Sequence, residues 1–169
     1  GVTRDGLLVA RQARMYFDTG FACHPRSSEI APTIVRGPYN IPHVRFEAYS
    51  VYTNKMGCGS FRGPGGIQAH FAGESQIDII CRELGLDPID FRRRNGVHEG
   101  GTSGAGVRLG RVGMRQALDR AADTVHWDRP LPSQPGKKLG RGVACGEWRL
   151  GGGRGSGAWV KLNEDGTVH

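Results

Sequence analysis

The stretch Ser60-Phe61-Arg62-Gly63-Pro64-Gly65-Gly66 concentrates residue types suited to holding an anion. Three glycines around one proline let backbone N–H groups turn toward a single point, because glycine accepts the positive φ that such a turn needs. A helix expected to begin near Gly65 would add the partial positive charge of its N-terminus. The chemistry on offer is a cradle for a phosphate-like or oxo group. A tight connection between two elements would use the same residues, and local sequence leaves both readings open.

Other constellations carry less. Gly153-Arg154-Gly155-Ser156-Gly157-Ala158 matches G-x-G-x-x-A, but the dinucleotide motif needs a following helix. Here Trp159-Val160-Lys161-Leu162 has strand character, so a hairpin turn is expected. Cys23, Cys58, Cys81 and Cys145 are far apart and without a C-x-x-C pair, which argues against zinc or iron–sulfur sites built from this chain. The six histidines form no ligand pattern. Four Arg-Gly dipeptides are scattered through globular elements and lack the interleaved aromatics of an RNA-binding sheet. Arg92-Arg93-Arg94, after an expected helix, reads as a solvated face.

The elements that must position the loop are legible. Residues 7–17 read as a strand ending at Asp18-Thr19-Gly20. Residues 43–53 alternate, placing Val44, Phe46, Ala48, Ser50 and Tyr52 on one side of a second strand. Between them, residues 21–42 are irregular, with room for a short helix. After the loop a helix should run to about Leu84, with Ile67, Phe71, Ile77, Cys81 and Leu84 near one face. Glu74 lies beside that stripe, where a hydrogen-bonded structural carboxylate is the expected role. Asp87-Pro88 signals an N-cap and first helical position, and Asn95-Gly96 a helix end. A third helix is expected over 114–125. Residues 129–136, rich in Pro, read as a linker, and two strands are expected at 138–148 and 157–163. The fold class is α+β with mixed strands and three main helices.

Composition sets the frame. Glycine is high, at 28 of 169 residues, where average usage would give about 12. A backbone that wraps a large cofactor would explain this; a loop-rich β protein is the plainer account from composition alone. The net charge of +7 suits an anionic partner or cofactor. No apolar run reaches bilayer length, and dispersed cysteines without a secretion signal suggest a cytoplasmic location.

Taken together, Tyr52-Thr53-Asn54, the Gly59–Ala69 segment, Glu74, and Leu84-Gly85-Leu86-Asp87-Pro88 through Arg94-Asn95 closely resemble a pattern of the xanthine dehydrogenase / aldehyde oxidase family of molybdenum hydroxylases. Asp18-Thr19-Gly20, Gly37–Pro42, Arg141–Ala144 and Val160–Gly166 support the likeness.

The resemblance implies an internal piece of the large subunit. Residues 1–128 would belong to the first molybdenum-cofactor-binding domain, 129–136 to a linker, and 137–169 to the start of the second. It implies molybdopterin, as the cytosine dinucleotide, carrying molybdenum, with Phe61, Arg62, Gly63, Gly65 and Gly66 bordering the cofactor through their backbone. It assigns this chain no catalytic side chain, since the family's base glutamate lies beyond His169. The implied reaction hydroxylates an aldehyde or N-heterocycle C–H with water, passing electrons to iron–sulfur and FAD subunits. Gly63 follows Arg62 where carbon monoxide dehydrogenases of the family carry a copper-binding Cys, so that activity is not expected. Pro64 replaces the aromatic of purine-oxidising relatives. Valine at Gly63 or Gly65 is expected to harm cofactor occupancy more than folding. The alternative is a catalytically silent binding or structural domain of the same ancestry.

Overall fold

The computed structural model describes residues 1–22, 26–103, 106–148 and 157–168. Its elements follow in the order β1 (Ala10–Gly20), α1 (Arg26–Ile34), β2 (His43–Tyr52), α2 (Gly66–Leu84), α3 (Pro88–Asn95) and α4 (Met114–Thr124). The α+β class stands, but there are four helices and not three. The additional one, α1, has only nine residues and carries Pro32 inside it. It is the short helix for which residues 21–42 left room, and its interior proline, which removes one helical donor, kept it from being counted among the main helices.

β1 and β2 pair in parallel, from Ala10 opposite His43 to Gly20 opposite Tyr52, with a register break between Asp18 and Gly20. Parallel neighbours need a crossover, and α1 supplies it. Ala13, Met15 and Phe17 of β1 and Phe46 of β2 pack against a buried cluster of Ala31, Ile34, Val35 and Ala69. On the other face Tyr16 and Tyr49 stack with ring centroids 5.2 Å apart. The expected alternation of β2 is present, although Val44 and Tyr52 at its ends are exposed.

α2 turns a different face to the interior from the one its apolar residues suggest. Gly66, Ala69, Gly73, Glu74, Ile77 and Cys81 are buried, whereas Ile67, Phe71 and Leu84 are exposed. The cause is close approach. A Cβ on Gly73 would lie 3.3 Å from Arg11 Nη1 and 3.4 Å from the Val35 carbonyl oxygen, so small residues, rather than apolar bulk, select the contact face. Arg11 itself is buried and donates to the carbonyls of Val35 and Arg36 at 3.0 Å.

α3 is capped as its sequence suggests, with the Asp87 carboxylate accepting from the Ile89 and Asp90 N–H groups at 2.7 and 3.0 Å. Gly96 closes it in an extended conformation and bridges to Tyr39. A second core joins Leu8, Tyr39, Ile41, Ile77, Cys81 and Phe91, and a third packs Ile89 of α3 against Leu118 and Ala122 of α4.

Residues 138–148 and 157–163 do not form the expected strands. The 157–168 stretch holds only a turn, bridged between Leu162 and Val168. Neither segment has a ladder partner among the described residues, and without one a strand leaves its N–H and C=O groups unpaired. The turn expected at Gly153–Ala158 lies mostly outside the described residues.

Candidate functional site

The loop after β2 is rooted by one carboxylate. Asp18 Oδ1 accepts from Thr53 Oγ1 at 2.6 Å and from the Gly20 N–H at 3.0 Å, and Asp18 Oδ2 accepts from Lys55 Nζ at 2.8 Å. The Lys55 ammonium, then the Thr53 hydroxyl and the Gly20 N–H, hold the Asp18 carboxyl at about 2. Backbone bonds from Phe21 N–H to Lys55 O, Thr53 N–H to Gly20 O and Cys58 N–H to Thr19 O tie the two chain segments together. A Cβ on Gly20 would overlap the Met56 carbonyl oxygen, and Gly20 has φ +66°, so this close approach requires glycine.

From that root the chain runs to the head of α2. Phe61 is 84% exposed and Arg62 is also exposed. Gly63 and Gly65 both have positive φ, 82° and 73°. Gly65 is the N-cap of α2 and Gly66 its first residue. Gly66 N–H donates to Gly63 O at 3.1 Å, and Ile67 N–H does so at 3.4 Å. Among the described residues, the N–H groups of Phe61, Arg62, Gly63 and Gly65 have no hydrogen-bond acceptor. A tight turn is thus present, and among the described residues it leaves donors unpaired at a helix N-terminus.

The three glycines do different work. Gly63 would place a Cβ 3.3 Å from the mobile end of Ile67, while Gly65 would drive one to 2.3 Å from the Ser27 carbonyl oxygen. Gly66 would meet Trp148 Cζ3 at 2.4 Å. Gly65 and Gly66 are therefore also packing positions, which counts against the expectation that valine at Gly65 would harm cofactor occupancy more than folding. The loop offers neutral N–H donors and one guanidinium, with no carboxylate within 60–66. That donor set fits a group with anionic oxygens.

Glu74 has the hydrogen-bonded structural role expected from the sequence, but sequence reading missed its partners. Arg92 is not on a solvated face: its side chain is fully buried, and its fork donates to Glu74 Oε2 at 3.0 Å (Nε) and 2.9 Å (Nη2). Nη2 also reaches Asp78 at 2.9 Å. Tyr39 donates its hydroxyl proton to Glu74 Oε1 at 2.7 Å, and burial together with the neighbouring Glu74 carboxylate pushes the Tyr39 phenol well above its usual range. Cys145 N–H completes the set at 2.8 Å from Glu74 Oε2. Asn95 accepts from Leu8 N–H and donates to the carbonyls of Gly6 and Phe91. The signal available beforehand was the Glu74-to-Asn95 spacing in the resemblance, but spacing alone does not show which charges pair.

An α+β unit whose glycine-built turn leaves N–H donors unpaired among the described residues at a helix head has a geometry that could receive an anionic oxygen group. A molybdopterin cofactor-binding domain family model matches residues 1–96. The chain belongs to that family. It is 38% identical over 126 residues to the nicotinate dehydrogenase large molybdopterin subunit of Eubacterium barkeri, covering 73% of this chain and 30% of that protein. It is 30% identical over 186 residues to the xanthine dehydrogenase molybdenum-binding subunit of Escherichia coli O157:H7, covering 100% of this chain and 24% of that subunit. The aldehyde oxidoreductase structure from Desulfovibrio gigas superposes with a TM-score of 0.66 at 25% identity, covering 75% of this chain and 14% of that one. The chain thus spans less than a third of the length of each. Among the described residues no helix is long and apolar enough to cross a membrane.

Proposed function

We propose that this chain forms one wall of the cofactor site in a molybdenum hydroxylase acting on an aldehyde or N-heterocycle. The observation that carries the reading is the turn at Gly63 and Gly65, whose positive φ values leave neighbouring N–H groups without partners among the described residues at the head of α2. The names of the E. barkeri and D. gigas relatives, a nicotinate dehydrogenase and an aldehyde oxidoreductase, support the substrate class. When bound, molybdenum–molybdopterin, here as the cytosine dinucleotide, supplies hydroxylation with oxygen taken from water.

The residues of this chain bind and orient. Phe61, Arg62, Gly63 and Gly65 direct N–H groups at oxo or pterin oxygens, and Gly66 sets the helix head beneath them. The Arg62 guanidinium adds positive charge at the rim. Residues 1–128 belong to the first cofactor-binding domain, 129–136 to a linker and 137–169 to the second. Iron–sulfur and FAD subunits accept the electrons in a cytoplasmic hetero-oligomer. With Gly63 after Arg62, the loop has no thiol at the position that would bring copper and carbon monoxide oxidation.

The test is the molybdenum and pterin content of the full-length gene product, with dye-coupled oxidation of aldehydes and N-heterocycles. Stoichiometric metal and turnover are expected, with neither from residues 1–169 alone. A full-length product made in a molybdopterin-producing host without pterin or turnover would establish the silent binding domain instead.

A further inference from the structure

The segment after the linker is held by side chains. Cys145 N–H donates to Glu74 Oε2 at 2.8 Å. Two residues on, the Glu147 carbonyl accepts from His70 Nε2 at 2.9 Å. Next along, the Trp148 indole lies over Gly66, so closely that a Cβ there would come to 2.4 Å from the ring. Glu74, His70 and Gly66 are spaced four apart on α2, hence on one face and about 6 Å apart along the axis. Residues 145–148 therefore run antiparallel to α2, meeting it once per turn, and end at the helix head where the Gly63–Gly65 turn begins.

We propose that Glu74 and His70 act as a rail that sets the register of residues 145–148, so that Trp148 braces the first turn of α2 and keeps the cradle's donors in place. This rests on the cofactor-cradle reading and assigns Glu74, His70 and Trp148 as positioning residues for it. Glu74 suits the task because Arg92 of α3 and Tyr39 of the α1–β2 connection already fix its carboxylate. The segment it captures has no helix or strand of its own. A polypeptide lacking its own ladder takes its position from whatever satisfies its polar groups. Here those groups lie on the same helix whose first turn forms the floor of the site. Gly66 is suited to receive the ring because any side chain at that position would displace the indole.

Hydrogen exchange on the full-length gene product, read in the peptides covering 61–69 and 141–148, tests the rail without bound cofactor. In the wild type the Gly66, Ile67 and Ala69 amides, each paired to a loop carbonyl, should be protected. His70→Ala should loosen 141–148 and also speed exchange in 61–69 by about tenfold. Trp148→Ala should speed 61–69 while leaving the Cys145 amide protected. Glu74→Gln should loosen 141–148 and speed 61–69, and all three variants should lower pterin content. Should Glu74→Gln fail to fold, His70→Ala and Trp148→Ala, at partly exposed positions, still decide the matter. Loosening of 141–148 with unchanged exchange at 61–69 in His70→Ala and Trp148→Ala would overturn the proposal. Absence of pterin from the wild type would instead overturn the cradle reading and leave the exchange result to judge the register.

Discussion

Replacing Gly65 by alanine should cost much more stability than the same change at Gly63, although both have positive φ. An L-residue in the left-handed region costs about 1–2 kcal/mol at either position. At Gly63 the new Cβ would lie 3.3 Å from Ile67 Cγ1, and Ile67 is exposed and can rotate away. At Gly65 it would come 2.3 Å from the Ser27 carbonyl oxygen. That atom belongs to the α1 backbone, so α1 and α2 must part, as in an overpacked core, for roughly 1–3 kcal/mol more. At about 2–4 °C per kcal/mol for a chain of this size, the two melting temperatures should differ by several degrees. Circular dichroism melts and urea midpoints of both variants in residues 1–169 measure this. Equal losses, or a larger loss at Gly63, would refute the argument that Gly65 is a packing position. In the full-length protein Gly63→Ala is then the cleaner probe of the cradle, since a fall in pterin content would come with little loss of fold.

Three further outcomes follow from the same contacts. Arg92→Leu leaves the buried Glu74 carboxylate uncompensated and should cost about 3–5 kcal/mol in urea unfolding, whereas Asp78→Ala, at the half-exposed end of the same fork, should cost under about 1 kcal/mol. The Asp18 carboxyl sits at about 2 in the folded chain, below its ordinary ~3.9. Its contribution is fully present above pH ~4 and is lost as the pH falls through about 2. Asp18→Asn should therefore flatten the urea midpoint between these values, and an unchanged acid profile would count against the clamp. Asp87→Ala removes the N-cap of α3 and the acceptor of the Trp127 indole N–H. It should cost about 1–2 kcal/mol and shift Trp127 emission.

The sequence by itself determined the family and most of the local elements within residues 1–124. Alternation marked β2, Asp87-Pro88 marked the start of α3, and the Ser60–Gly66 composition marked a turn that could hold an anion; each depends on residues adjacent in the chain. The α+β class and the molybdopterin-binding resemblance came from the same local signals. Only tertiary structure decided which face of α2 is buried, because Gly73 and Ala69 are chosen by how closely β1 and α1 approach and not by their own hydrophobicity. It also turned Arg92 inward, since a buried guanidinium is tolerable only where the Glu74 and Asp78 carboxylates of α2 meet it across the α2–α3 contact. Residues 138–148 carried strand character but adopted none; the Cys145 N–H and the Glu147 carbonyl are held by the α2 side chains Glu74 and His70 in place of a ladder. The glycines at 65 and 66 show the division most clearly: the sequence marked a turn, and what each would collide with depends on Ser27 and Trp148, dozens of residues away.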